Sequence, residues 1–183
     1  MAVITQTKVT TGWKIDTAHS TVEFAVKHMM FTTVKGRFTD VSGTVEFDET
    51  DPSDGRADIT IGAGSIDTRD AQRDAHLKSA DFFDVETYPT LRFVGTDVEG
   101  TPQHFTLSGD LTIHGVTRPI ALDVRFEGKG KDPWGGERYG YTATAQLNRK
   151  DFGLTWNAAL ETGGWLVGDE VKITLDLQLI REV

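Results

Sequence analysis

The chain has 183 residues, enough for one domain at roughly 100–200 residues each, so 1–183 is read as a single domain. Asp and Glu number 28 against 19 Lys and Arg, a net charge of -9, which argues against nucleic-acid binding by phosphate neutralisation and against a basic patch for an anionic leaflet. There is no cysteine, which removes disulfide frameworks, thiolate nucleophiles, Cys-ligated zinc and iron–sulfur clusters.

Met1 to Thr10 lacks the charged start, apolar stretch and cleavage site of a secretory signal, and no window holds ~18 consecutive apolar residues. The expectation is a cytoplasmic protein without stable membrane insertion. Asp16, His19 and Ser20 have the inventory of a hydrolase, yet their closeness suits an Asx- or Ser-type turn leading into the first strand. From there period-two alternation dominates. Val22, Phe24 and Val26 form the first row; Val41, Gly43, Val45 and Phe47 the second, with a parity slip after Phe38 that predicts a bulge. Ala57, Ile59, Ile61 and Ala63 follow, with Gly62 and Gly64 marking a bend rather than a dinucleotide fingerprint.

Residues 67–78 break the pattern and predict the one short helix, capped at Asp67 or Thr68 and carrying an Asp74–Lys78 pair. Arg69, Arg73 and His76 then share one face, suited to an anionic or polar head group or, more plainly, to stapling the helix onto Asp residues at a rim. Ser79 to Asp84 reads as a turn ended by Tyr88-Pro89. Five rows remain: Leu91 and Phe93; Phe105 to Ile113; Ile120 to Phe126; Tyr139 to Leu147; Val171 to Leu179. Turn signals at Asp51–Gly55, Glu99–Pro102, His114–Thr117 and Asp132–Gly136 make neighbouring rows antiparallel, and Arg149 to Gly168 reads as a long connection at one end.

Eight such rows without a repeat give an all-β fold, an up-and-down barrel or a sandwich. The interior of an eight-stranded barrel is either filled by side chains or holds a small ligand. Small inward residues at Ala57, Ala63, Gly109, Ala143 and Ala145 favour open volume, whereas facing Phe residues could close it. Trp134, Trp156 and Trp165 are read as core or lip residues. The five His show no H-x-x-x-H or H-E-x-x-H spacing, so no metal and no cofactor are expected.

Four stretches, in order, resemble the YceI-like family of polyisoprenoid-binding proteins over about Gly12 to Glu182. They are Trp13-Lys14-Ile15-Asp16-Thr17-Ala18-His19-Ser20-Thr21-Val22-Glu23-Phe24, Arg73 to Asp84 with Tyr88-Pro89, Gly109 to Pro119, and Arg149 to Leu154 with Val167 to Val171. The resemblance implies an eight-stranded, antiparallel, lipocalin-like barrel with a helical segment beside it. Its lumen would bind, transport or store a long-chain amphiphile: a polyisoprenoid, a polyprenyl quinone or phosphate, or a fatty-acid derivative. No catalytic residue is assigned. Joined to the alternation, it gives Phe24, Val26, Phe38, Phe93, Phe105, Leu107, Leu111, Leu122, Val124, Tyr141, Ile173 and Leu175 as lumen residues. Phe82, Phe83 and Trp156 are candidate gates, and Arg73, His76, Arg149 and Asp151 candidate head-group contacts. Many relatives carry a signal peptide, so a start close to the first motif points to a cytoplasmic carrier or store. The alternatives are a hydrolase for a small hydrophobic substrate, with His19 or His76 as base, and a ligand-free barrel used for dimerisation; a homodimer is left open.

Overall fold

Strands rich in Val, Ile, Thr and Phe with one apolar face must bury that face and satisfy both edges, and here they do so by closing on themselves. In the computed structural model, which describes residues 10–182, eleven strands follow in chain order: β1 Thr11–Ile15, β2 Thr21–His28, β3 Thr32–Phe38, β4 Val41–Phe47, β5 Arg56–Gly62, β6 Ile66–Asp67, β7 Thr90–Thr101, β8 His104–Ile113, β9 Val116–Lys131, β10 Glu137–Asn148 and β11 Val167–Arg181. Residues 1–9, on which the absence of a leader was read, lie outside the described residues.

The eleven segments occupy eight barrel positions, because β1 with β2, β3 with β4 and β5 with β6 are three strands each broken once. Every position pairs antiparallel with the next in sequence, and β11 closes the ring by pairing β10 on one edge and both β1 and β2 on the other. This is the up-and-down barrel, not the sandwich. The expected bulge after Phe38 is a full break at Thr39 and Asp40, whose N–H groups both donate to Ser65 Oγ, at 3.1 and 3.0 Å. Two further strands lie outside the expected rows, β1 and β3; Trp13 and Ile15 in the first, and Val34, Gly36 and Phe38 in the second, are more buried than their neighbours.

The first break shows how a turn is fixed without losing the ladder. Asp16 caps a single 3₁₀ turn over Thr17–His19, accepting from Ala18 N at 3.1 Å and meeting His19 Nδ1 at 2.7 Å. Ser20 Oγ accepts from Gln178 N at 3.0 Å, so the residues that resembled a hydrolase inventory are bonded as a turn. Arg138 then ties this corner to the β9–β10 hairpin, one guanidinium nitrogen on Asp16 and Nε on Asp132 at 2.8 Å.

Helix α1 is Ala71–Lys78, and its cap is Asp70, accepting from Arg73 N at 3.0 Å, rather than Asp67 or Thr68. Asp67 is already used, bonded to Arg69 N at 2.9 Å in an Asx turn that leaves Arg69 at φ 61°, outside the helix. The expected three-residue cationic stripe is therefore not formed. Asp74 accepts from Thr68 N and Oγ1 at 2.9 and 2.5 Å, and Arg73 donates to Thr68 Oγ1 and O, both at 2.8 Å. These bonds staple the helix to the chain leaving β6.

Trp13 on β1 is fully buried, stacked on Phe47 at 5.7 Å and tilted against Tyr139 at 4.5 Å between ring centroids. At Gly36 a Cβ would lie 2.4 Å from Phe24 Cζ, so the Phe24 ring rests on bare backbone across the β2–β3 pair. The small inward residues do less to open the interior than their size suggested. A Cβ on Gly109 would meet Val94 O at 2.1 Å, and Ala57 and Ala63 are packed in the core. Trp134 and Trp165 are not core residues: they are 87% and 57% exposed.

Replacing Trp13 by Ala should cost about 3–5 kcal/mol, read from urea unfolding; a loss below about 1 kcal/mol would mean that closure does not depend on it. Arg138 gives a pH test. Burial pushes Asp16 up, but hydrogen bonds from His19 and Arg138 outweigh it and hold the carboxyl below its ordinary value; Arg138 and the Gly136 N–H hold Asp132 low. Depressed carboxylates stabilise the fold above about pH 4 and lose that contribution as pH falls through their lowered values. The melting-temperature gap between the wild type and Arg138→Met should accordingly be widest near neutrality and shrink towards pH 3. A gap that grows on acidification would contradict the ion-pair assignment.

Candidate functional site

The inward faces leave two cavities in line along the barrel, of about 270 and 150 Å³, with Ile59 and Leu122 in the walls of both. Of the residues expected to face the lumen, Phe105, Leu107, Val124 and Tyr141 line the larger chamber. Phe24, Val26, Phe38, Phe93, Leu111, Ile173 and Leu175 line the smaller one. Leu122 stands between them. The larger chamber also takes in Ala143, the one small inward residue of the expected set that borders open space.

The two ends differ in chemistry. Around the smaller chamber the side chains are apolar apart from Glu23 and Arg149, and Leu77, Phe82, Phe83 and Leu154 lie over its end. Phe83 meets Phe38 edge-on at 5.8 Å. Behind them His76 bonds Asp81 at 2.8 Å and stands edge-on to Phe82 and Trp156, at 5.1 and 4.7 Å. Phe82, Phe83 and Arg149 border this chamber, whereas Arg73, His76 and Trp156 do not.

Arg149 is 4% exposed and spends its donors on main-chain carbonyls: Gly168 O at 2.8 Å, Leu154 O at 2.6 Å, Trp156 O at 2.9 Å and Val167 O at 3.4 Å. Burial pulls its pKa down, against the pull of Asp169 at 3.6 Å. A long connection that crosses a barrel end leaves carbonyls without ladder partners, and a guanidinium with five donors satisfies several at once. Arg149 thus holds this connection in place and has no donor turned to the lumen; with Arg73 bound to Thr68, the expected head-group cations serve the fold.

The polar end is the other one, and alternation did not show it. Asp48, Glu49, Arg56, Gln103 and Lys129 border the larger chamber, contributed by the Asp48–Arg56 turn, the β7–β8 hairpin and β9. Tyr139 donates to Glu49 Oε2 at 2.6 Å, and Lys129 Nζ donates to Tyr139 Oη at 3.4 Å. Burial, reinforced by the Glu49 bond, pushes the Tyr139 phenol up; burial and Glu49 push Tyr141 up to about 12. Both phenols therefore stay protonated at neutral pH, and Tyr139 donates to Glu49. The row Tyr139-Tyr141 was visible in sequence, but nothing there showed that Glu49, ninety residues away, would meet it.

Among the described residues, no helix is long and apolar enough to cross a membrane, and no three His, Asp or Glu side chains group to hold a metal ion.

The YceI-like domain model matches residues 13–179. A UPF0312 protein of Pseudomonas aeruginosa is 37% identical over 172 residues, covering 93% of this chain and 87% of its own. Protein YceI of Salmonella newport is 39% identical over 153 residues, 82% of this chain and 80% of its own. Among solved structures, Burkholderia cenocepacia BcnA superposes with a TM-score of 0.76 at 27% identity over 90% of this chain and 98% of that one. The Campylobacter jejuni YceI protein gives 0.72 at 28% identity, over 86% and 90%. The match over nearly the whole barrel, at this identity and with this strand order, places the chain in the YceI-like family.

Proposed function

We propose that the barrel binds a long-chain amphiphile, a polyisoprenoid, polyprenyl quinone or fatty-acid derivative, and carries or stores it without catalysis. The observation that carries this reading is the pair of in-line chambers, apolar at one end and polar at the other. An apolar chain lying through both would bury its surface at about 25 cal/mol per Å², less the cost of ordering it. The tail end lies under Phe82 and Phe83, and the polar group lies at the Tyr139–Tyr141 end, opposite to the end that the arginines suggested. The Tyr141 hydroxyl makes no hydrogen bond among the described residues and borders the larger chamber, which suits it to donate to a carbonyl or hydroxyl of the ligand.

Substitutions that fill the lumen separate an open site from a packed core. Val124→Trp in the larger chamber and Leu111→Trp in the smaller should each abolish binding of a fluorescent fatty-acid probe while lowering stability by less than about 1 kcal/mol. A filled core would instead lose about 1–3 kcal/mol by overpacking. Unchanged probe binding in both variants would contradict the lumen site. Tyr141→Phe should weaken a polyprenyl quinone by about three- to tenfold, the worth of one hydrogen bond, and leave a hydrocarbon of equal length unaffected. Equal losses for both ligands would remove Tyr141 from the polar end.

A further inference from the structure

Among the described residues, large apolar side chains are exposed at five positions, and four of them, Met29, Met30, Phe31 and Trp165, lie on two adjoining segments. Met29 to Phe31 form the tip of the β2–β3 hairpin, 40%, 64% and 74% exposed, and Trp165 is 57% exposed on the neighbouring connection. The two segments touch. Met29 N donates to Leu166 O at 2.8 Å, and Met30 Sδ lies so close over Gly164 that a Cβ there would be 2.0 Å away.

This tip holds Met29 and Met30 at φ 52° and 71°, the left-handed region where hairpins ordinarily use Asn or Gly. Such backbone costs energy, and the residues kept there are bulky, apolar and partly exposed, with the Met30 thioether laid over Gly164. The net charge of -9 argues against a basic face over the molecule as a whole, but the charge along this hairpin is locally of the opposite sign. No Asp or Glu occurs from Phe24 to Thr39, although the chain has 28, while Lys27 and Lys35 are exposed on the hairpin flanks and Arg37 pairs with Asp67; the connection that carries Trp165 adds one exposed carboxylate, Glu161.

We propose that this tip docks the protein on a lipid bilayer containing anionic lipid, with Met30, Phe31 and Trp165 in the interfacial zone and Lys27 and Lys35 against the head groups. Aromatic and Met side chains flanked by cations suit that boundary, where one end is apolar and the other wet. A second copy suits it poorly. A stable protein interface takes roughly 20–30 residues a side, far more than this tip offers, and two cationic hairpins would repel. The hairpin and the start of β11 border the smaller chamber, since Val26 and Val167 line it, so docking brings that chamber to the bilayer. The inference does not depend on what the lumen holds.

Co-sedimentation with phosphatidylcholine vesicles, with and without phosphatidylglycerol, tests it. The wild type should pellet with the mixed vesicles, and the Met30→Ser/Phe31→Ser double variant should partition about tenfold more weakly. Lys27→Glu/Lys35→Glu should erase the preference for phosphatidylglycerol, and Trp165→Ser gives an independent apolar variant should the double one fold poorly. All of these side chains are exposed, so probe binding in the lumen should persist, which separates failure of docking from failure of the carrier reading. A wild type that stays in the supernatant, or a double variant that sediments like it, would overturn the proposal. So would a dimer, seen by light scattering, that the double variant dissolves.

Discussion

Closure through β11 is the constraint on which the rest depends. One strand must satisfy β10 along one edge and two separate strands, β1 and β2, along the other. A single unbroken first strand would make a plain cylinder. Breaking it at Asp16 lets the two halves follow different parts of the β11 edge, and the same device recurs between β3 and β4 and between β5 and β6. The cost of each break is borne by local side-chain bonds, Asp16 to Ala18 N in the first and Ser65 to Thr39 and Asp40 in the second. Each of the eight positions is thereby paired with both neighbours, although β3 meets β6 only at Arg37 and Phe38.

Once closed, the barrel has two ends that the chain treats differently. At one end the α1 segment, Phe82, Phe83 and the connection held by Arg149 lie over an apolar chamber. At the other, short turns leave Glu49, Lys129, Tyr139 and Tyr141 around the larger chamber. The contrast follows from where long and short connections fall. A long connection needs buried donors for its carbonyls, and Arg149 supplies them; tight hairpins satisfy themselves and leave their neighbours' polar groups for the lumen.

Much of this is legible in the chain itself. Strict alternation from Phe105 to Ile113 and from Val171 to Leu179 could serve only a wall with one apolar side, and parity placed Leu111, Leu122 and Ile173 facing inward. Parity is a local property. It could not show that Gly109 is shut against Val94 O, that Arg149 turns to carbonyls, or that Glu49 reaches Tyr139, because each is set by a strand or turn distant in sequence. The helix stripe failed for a different reason: Asp70 was the better cap once Asp67 had bonded Arg69, a competition among adjacent acids that composition does not rank. β1 and β3 lie outside the expected rows although both alternate: in β1 the pattern spans only Trp13 to Ile15, and in β3 a glycine, Gly36, holds one of the buried positions.

The central claim is that the in-line chambers hold an amphiphile. Native mass spectrometry of the protein purified without detergent from its own host, followed by organic extraction, tests it most directly. The account expects a bound mass that extraction releases as an isoprenoid or acyl compound, or ready uptake of an added polyprenyl quinone by the apo barrel. A clean apo mass with no uptake of any long-chain amphiphile would contradict it.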